Sequence, residues 1–138
     1  MILAQHTLET TALPQNIWAR WANPSTYPEW DEAVEWAKLN GEFKVGTTGE
    51  LKTKASGPMA FTITDLEEGR AFSDLTRLSL ARLRFHHQLE MTGMGTRLTH
   101  RIEVEGPLAW VWGMVLGSKM QAALPIAMRK LARLAEHP

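Results

Sequence analysis

The sequence predicts an α+β fold in which one curved antiparallel sheet of six or seven strands wraps around a long carboxy-terminal helix. Between Val34 and Glu105, glycines at 41, 46, 49, 57, 69, 93 and 95 separate short segments rich in Thr, Val, Ile, Leu and Phe, which is the punctuation of five or six strands joined by tight turns. Ile2 to Thr10 alternates in polarity and adds a strand in front of them. Leu108 to Ala135 then reads as a single helix, about 42 Å long at 1.5 Å per residue.

In the first strand, Ile2, Ala4, His6 and Leu8 share one face and Leu3, Gln5, Thr7 and Glu9 the other. Pro14 suits the first turn of a helix, and Ile17, Trp18 and Trp21 give that helix one apolar stripe before Asn23-Pro24 ends it. The next segment, Asn23-Pro24-Ser25-Thr26-Tyr27-Pro28-Glu29-Trp30, is stiffened by two prolines that fix their own φ angles and push Asn23 and Tyr27 away from helix. Tyr27 and Trp30 therefore project from a defined corner, as in a lid.

The best-marked strand pair is Leu80 to Met91 and Thr96 to Glu105, joined through Thr92-Gly93-Met94-Gly95. A symmetric loop pairs residues whose numbers sum to 187: Glu90 with Arg97, Leu89 with Leu98, Gln88 with Thr99, His87 with His100 and Phe85 with Ile102. One face then carries Leu83, Phe85, His87, Leu89, Leu98, His100, Ile102 and Val104, and the other Arg82, Arg84, His86, Glu90, Arg97, Arg101 and Glu103. A slip of one residue would expose the whole apolar set of a strand, so the pattern itself argues for the register. Gly106-Pro107 stops the last strand and opens the final helix, whose first half is apolar nearly all round and whose second half is amphipathic. Pro125 lies inside it and cannot donate to the carbonyl of Gln121.

Composition narrows the function. A chain of 138 residues fits one domain, residues 1–138, large enough to bury about two-thirds of its unfolded surface. The 15 Lys plus Arg balance the 15 Asp plus Glu without forming a stripe, which argues against nucleic acid as a partner. The absence of Cys excludes disulfides, thiolate metal sites and a cysteine nucleophile. The most apolar stretch, Leu108 to Gly117, is ten residues long, well short of the roughly 20 that cross a bilayer. No secretory signal pattern opens the chain, so the cytoplasm is the default location. Six Trp and seven Met suit either an adaptable cavity wall or a bulky core.

The element order is that of the helix-grip fold. With Trp18, the Asn23-Pro24 to Tyr27-Pro28-Glu29-Trp30 segment, Gly41 and Gly46-Thr47, the hairpin from Phe85-His86-His87 to Gly95-Thr96-Arg97-Leu98-Thr99-His100, Gly106-Pro107 and Leu131-Ala132-Arg133-Leu134, the chain resembles the START-like superfamily over its whole length. Within it the chain looks most like bacterial polyketide cyclase/dehydrase and lipid-transport (SRPBCC) proteins. The resemblance implies two short helices after the first strand and an apolar cavity between sheet and long helix. Tyr27, Trp30 and Trp36 would then sit at the mouth, with Met59, Phe61, Phe72, Phe85 and Ile102 on the sheet wall and Val111, Val115 and Met120 on the helix wall. No cofactor or metal is expected. The superfamily includes ligand carriers, cyclases, hydrolases and oxygenase subunits, so function must be argued from the site.

His87 and His100 carry the sharpest chemical signal, because opposite residues on one face of an antiparallel pair have Cβ atoms about 4.5 to 5.5 Å apart. Imidazole near neutral pH serves as base, acid or ligand contact; it also serves as a hydrogen-bonded interior group with no further role. His6 has the same parity in the first strand, with its register open. Asp74 shares parity with Phe72; a symmetric turn at Leu78-Ser79 sets it opposite Leu83, where it could orient an imidazole, although a strand-end carboxylate in water is the commoner case. His86, Arg82, Arg84 and Arg101 read as a solvated basic face. The favoured function is binding of a small hydrophobic or amphipathic ligand (a lipid, polyketide or aromatic compound), with His87 and His100 as orienting contacts. The alternatives are a cyclase or dehydratase using one of these histidines as acid or base, and an interaction module whose interior would be filled.

Overall fold

In the computed structural model, which describes residues 1–138, seven strands form one antiparallel sheet in the order β1-β7-β6-β5-β4-β3-β2. The elements are β1 (Ile2–Thr10), α1 (Pro14–Trp21), a 3₁₀ helix (Pro24–Glu29), β2 (Val34–Leu39), β3 (Thr48–Thr53), β4 (Pro58–Glu67), β5 (Ala71–Leu78), β6 (Ala81–Thr92), β7 (Gly95–Glu105) and α2 (Ala109–Glu136). The sheet curls as a half-barrel around α2, the helix-grip arrangement. The proline-braced corner is the 3₁₀ helix, with Pro24 at its start and Pro28 inside it. No helix is long and apolar enough to cross a membrane.

The hairpin of β6 and β7 has the register read from the sequence, with His87 opposite His100 and Phe85 opposite Ile102 around a two-residue Gly93-Met94 loop. On the outer face the charged residues pair, Arg82 and Arg84 with Glu105 and Arg97 with Glu9 and Glu90 across strands, and Arg101 with Glu103 along β7. The basic group is thus neutralised locally.

Three local departures have identifiable causes. A bulge between Ile2 and Ala4 puts Ile2 in solvent while Leu3 packs on the core. A second bulge between Val34 and Trp36 breaks the parity of β2, so Val34 and Ala37 are buried and Trp36 only half-buried. The turn between β5 and β6 is Ser79-Leu80, which sets Asp74 opposite Phe85 and Thr76 opposite Leu83, two residues from the expected register but on the same face. Leu80 adopts φ 53° there, a left-handed conformation that costs a side-chain-bearing residue roughly 1–2 kcal/mol. It is held by the Leu108 amide, 3.0 Å from the Leu80 carbonyl, and the Trp112 indole, 2.9 Å from the Ser79 carbonyl.

The core lies between the inner face of β1, β7, β6 and β5 and one face of α2. Leu124, Ala127, Met128, Leu131 and Ala135 are buried from the helix against Ala4, Leu83, Leu98, Ile102 and Val104. Continued backwards at 3.6 residues per turn, this face meets Met120, Leu116, Trp112 and Ala109, the helix residues that pack on the core. Trp110, Met114 and Val115 fall outside the stripe and are exposed. Leu131, fully buried, and Val115, 55% exposed, test this phase. Leu131→Ala is expected to lower the unfolding free energy by about 2–5 kcal/mol, and Val115→Ala to change it by less than about 0.5 kcal/mol, both measured by urea denaturation.

Candidate functional site

The stripe of α1 delivers Trp21 into the centre of the curled sheet, where it is completely buried. Its ring meets Phe72, His87 and His100 at centroid distances of 5.7, 5.3 and 5.4 Å. Trp18 and Phe43 extend the group on one side, through edge contacts with each other and with Phe72. Trp30 extends it on the other, 6.0 Å from His100 and 5.2 Å from Tyr27. The Tyr27 hydroxyl donates to the Trp21 carbonyl at 2.7 Å and so ties the 3₁₀ helix to the end of α1. One end of the half-barrel is therefore filled with aromatic rings.

The other end is hollow. A cavity of about 240 Å³ lies between the sheet and α2. Phe61, Thr76, Leu83, Phe85 and Ile102 form its sheet wall, Met120, Ala123, Leu124 and Ala127 its helix wall, and Tyr27, Trp30, Asp31 and Val34 the side next to the 3₁₀ helix. Gly49 shapes the far wall, since a Cβ there would lie 2.3 Å from the Phe61 ring. Without one, the ring lies across β3. The interior is thus partly aromatic core and partly cavity, whereas an interaction module was expected to be filled throughout.

His6, His100 and His87 stand opposite one another across β1, β7 and β6, continued by Phe72 on β5. The row fixes the register of His6, and it does not converge on one point as a metal site would. His87 lies flat on Phe72, with centroids 4.0 Å apart and planes 2° from parallel. Its Nδ1–H donates to the Phe72 carbonyl at 3.3 Å; a carbonyl can only accept, so the neutral ring presents Nε2 as an acceptor. Burial holds the His87 pKa well below the usual imidazole value, and neighbouring His100 lowers it further. Burial, then His6, pushes His100 down to about 3. Both imidazoles are neutral at physiological pH and both border the cavity. Buried His100 Nε2 and Trp30 Nε1 have no hydrogen-bond partner in the protein.

Asp74 behaves oppositely. The expected strand-end carboxylate in water is instead half-buried on the cavity wall, with desolvation there raising its pKa to about 7. Just past the 3₁₀ helix, Asp31 accepts from the Ala33 amide at 3.0 Å, and burial outweighs that bond to raise its pKa. The Tyr27 hydroxyl is pushed well up, first by burial and then by Asp74.

Of the residues anticipated from the sequence, Tyr27, Trp30, Met59, Phe61, Phe85, His87, His100 and Ile102 come together around the cavity, as does Met120. Trp36, Phe72, Val111 and Val115 do not reach its wall. The β2 bulge turns Trp36 aside, Phe72 is taken up by the ring cluster, and the two valines lie off the inner stripe of α2. Asp31, Thr76, Ala123 and Ala127 were not anticipated as lining; for the two alanines the usable signal was the phase of the amphipathic half of α2.

The two kinds of buried group give opposite pH slopes. Asp74 keeps in the folded state a proton that the unfolded chain releases near 3.8, so its term removes stability as pH rises from about 4 to about 7. His87 and His100 stay neutral where the unfolded chain protonates near 6.5, so their term removes stability as pH falls below about 6.5. Asp74→Asn is therefore expected to be more stable than the parent at pH 8, by up to about 4 kcal/mol, with the gain shrinking toward pH 4. Urea midpoints measured from pH 4 to 8 check this; a gain that grows toward acid would contradict it.

The comparisons with known proteins agree with this architecture. The solved protein MLL2253 from Mesorhizobium loti superposes with a TM-score of 0.75 at 17% identity, covering 96% of each chain. TTHA0849 from Thermus thermophilus gives 0.75 at 12% identity, also over 96% of each chain. The di-domain ARO/CYC StfQ from the steffimycin biosynthetic pathway gives 0.78 at 13% identity over 96% of this chain and 50% of that one. At these identities the likeness is one of fold. No match was found among the curated proteins. The model of the family described as polyketide cyclase / dehydrase and lipid transport matches residues 1–136, and the chain belongs to that family.

Proposed function

We propose that the protein binds one small, largely apolar molecule in the cavity between its sheet and α2, with the 3₁₀ helix as the lid. The observation that carries this reading is the cavity of about 240 Å³, placed where the family's fold leaves one and walled by apolar residues with a few polar groups among them. At the packing density of a protein interior, about 0.74, it accommodates a body of roughly 180 Å³, the bulk of two or three fused rings. Drug-sized ligands take pockets of about 300–1,000 Å³, so a long acyl chain or a tetracyclic polyketide would protrude through the mouth. Burial of about 250 Å² of ligand surface at about 25 cal/mol per Å² contributes roughly 6 kcal/mol before association costs, which sets affinities on the order of 0.1 mM or weaker unless polar contacts add to them. In this reading His87 and His100 orient the ligand.

A second reading is supported by one feature: two neutral imidazoles and a carboxyl with a pKa of about 7 border one cavity. A group titrating near the working pH suits general acid or base catalysis, and a cyclase or dehydratase step would use it. Asp74 is better matched than either histidine. Turnover that is lost in Asp74→Asn while binding is retained would favour the enzyme; binding with no turnover in the parent would favour the carrier.

Native mass spectrometry of the purified protein, followed by extraction, tests the main reading. The expected result is a one-to-one complex with a compact molecule of the stated bulk. Ala127→Phe, which places a ring in the cavity from α2, is expected to weaken binding of 1-naphthol at least tenfold by Trp fluorescence titration without lowering the melting temperature. Unchanged affinity would count against the cavity. His100→Ala is expected to weaken the same complex about threefold to tenfold; unaltered binding would end the orienting role.

A further inference from the structure

Resting on the cavity-binding reading, we propose that the ligand is an organic cation, an amine on a compact aromatic or apolar body, whose ammonium group sits against the Asp74 carboxylate among the rings of Tyr27, Trp30, Phe61 and Phe85. The first support is the missing partner. Asp74 faces the cavity, and neither a hydrogen bond nor a neighbouring cation contributes to its environment. Tyr27 cannot satisfy it with its proton, because that hydroxyl is committed to the Trp21 carbonyl. A carboxyl in such a site either keeps its proton or is matched by a cation, and the open space in front of Asp74 leaves room for the second.

The second support is the sign of the charges around the space. The ionisable acids on its wall are Asp74 and, beside the 3₁₀ helix, Asp31. Arg101 is the one Lys or Arg among the lining residues and His86 the third lining histidine; Arg101 Nε and His86 Nε2 lie 2.8 and 3.5 Å from Glu103, which draws both toward the outer face. His100 is buried and His87 half-buried, and both imidazoles are neutral. An anionic ligand would meet two acids and no free cation. A neutral alcohol would make one hydrogen bond and leave the negative potential unused.

The third support is the rings. Tyr27, Trp30, Phe61 and Phe85 all border the cavity that Asp74 faces, and the faces of aromatic rings attract ammonium groups, most strongly where water is excluded. A carboxylate among aromatic rings is the chemistry that recognises alkylammonium ions, whereas a fatty acid or an acidic polyketide calls for arginine or lysine.

Three ligands of one shape decide the matter: 1-naphthylmethylamine, 1-naphthylmethanol and 1-naphthoate, titrated at pH 8 by calorimetry against the parent and Asp74→Asn. The expected result is that the parent binds the amine at least tenfold more tightly than the alcohol, and the carboxylate most weakly. In Asp74→Asn the preference for the amine should vanish while the alcohol stays within threefold of its parent affinity. Alcohol or carboxylate binding as tight as the amine, or an amine preference that survives in Asp74→Asn, overturns the cation assignment and leaves the cavity reading standing. Failure of all three ligands to bind overturns both. Should Asp74→Asn not fold, as judged by circular dichroism, the ranking in the parent alone decides.

Discussion

The interior is organised by the burial of Trp21. A short helix after the first strand carries this indole across the open end of the sheet, where it touches Phe72, His87 and His100 while its carbonyl receives the Tyr27 hydroxyl. Several consequences follow from that placement. The row of imidazoles is covered by an apolar ring, the 3₁₀ helix is tied to α1 by the Tyr27 hydroxyl together with Thr26 on the Arg20 carbonyl and the Arg20–Glu29 pair, and Trp30 is brought to the edge of the remaining space. Aromatic pairs of this kind contribute about 0.5–1.5 kcal/mol each beyond area burial, so the cluster is a set of mutually supporting contacts whose geometry depends on the ring at its centre.

The same desolvation has opposite effects on the site's two chemistries. It removes the positive charge from His87 and His100, which the folded state keeps neutral, and it raises the carboxyl of Asp74 into the neutral range. Polar character inside the cavity therefore does not come from a fixed ion pair. It comes from uncharged imidazoles and a carboxyl that titrates near neutral pH, which is a different design from the outer face of the sheet, where arginines and glutamates pair across neighbouring strands. Those exposed pairs hold register and solubility and contribute little each.

How much of this was legible in the sequence depended on whether the governing contacts were local. The β6–β7 register could be read because the Gly93-Met94 loop and the two alternating strands specify each other, and the facing histidines came with it. The β5–β6 turn could not, since Leu80 at φ 53° carries no glycine signature and is held by Leu108 and Trp112, far along the chain at the start of the last helix. The bulges in β1 and β2 likewise shift parity without a marker, which is why Ile2 and Trp36 point elsewhere than simple alternation requires. The helix wall was misassigned where hydrophobicity was read without phase: Val111 and Val115 are apolar, but the stripe fixed by Leu124, Ala127 and Leu131 passes them by. Asp74 could be assigned to the inner face from parity; its burial depended on how far the sheet curls, and no short-range pattern encodes that.

The hollow itself follows from residue size along successive rows of the sheet. Where the row reads His6, His100, His87 and Phe72, rings from α1 fill the space. Two rows further along, it reads Val104, Leu83, Thr76 and Phe61, and α2 answers with Ala123 and Ala127. With no ring from α1 reaching this row and alanines facing it from α2, the space stays open that Trp21 fills two rows earlier. A sealed void of about 240 Å³ would cost on the order of 6 kcal/mol at about 24 cal/mol per Å³, comparable with the whole stability of an ordinary domain. The cavity is partly open, which lessens that cost by admitting water, yet water gains little against walls formed mainly by Phe, Leu, Ile, Met and Ala. Two larger residues on α2 would have closed the space, so its persistence beside an unpartnered carboxyl is a cost that packing alone does not offset, and the binding proposal rests on that cost.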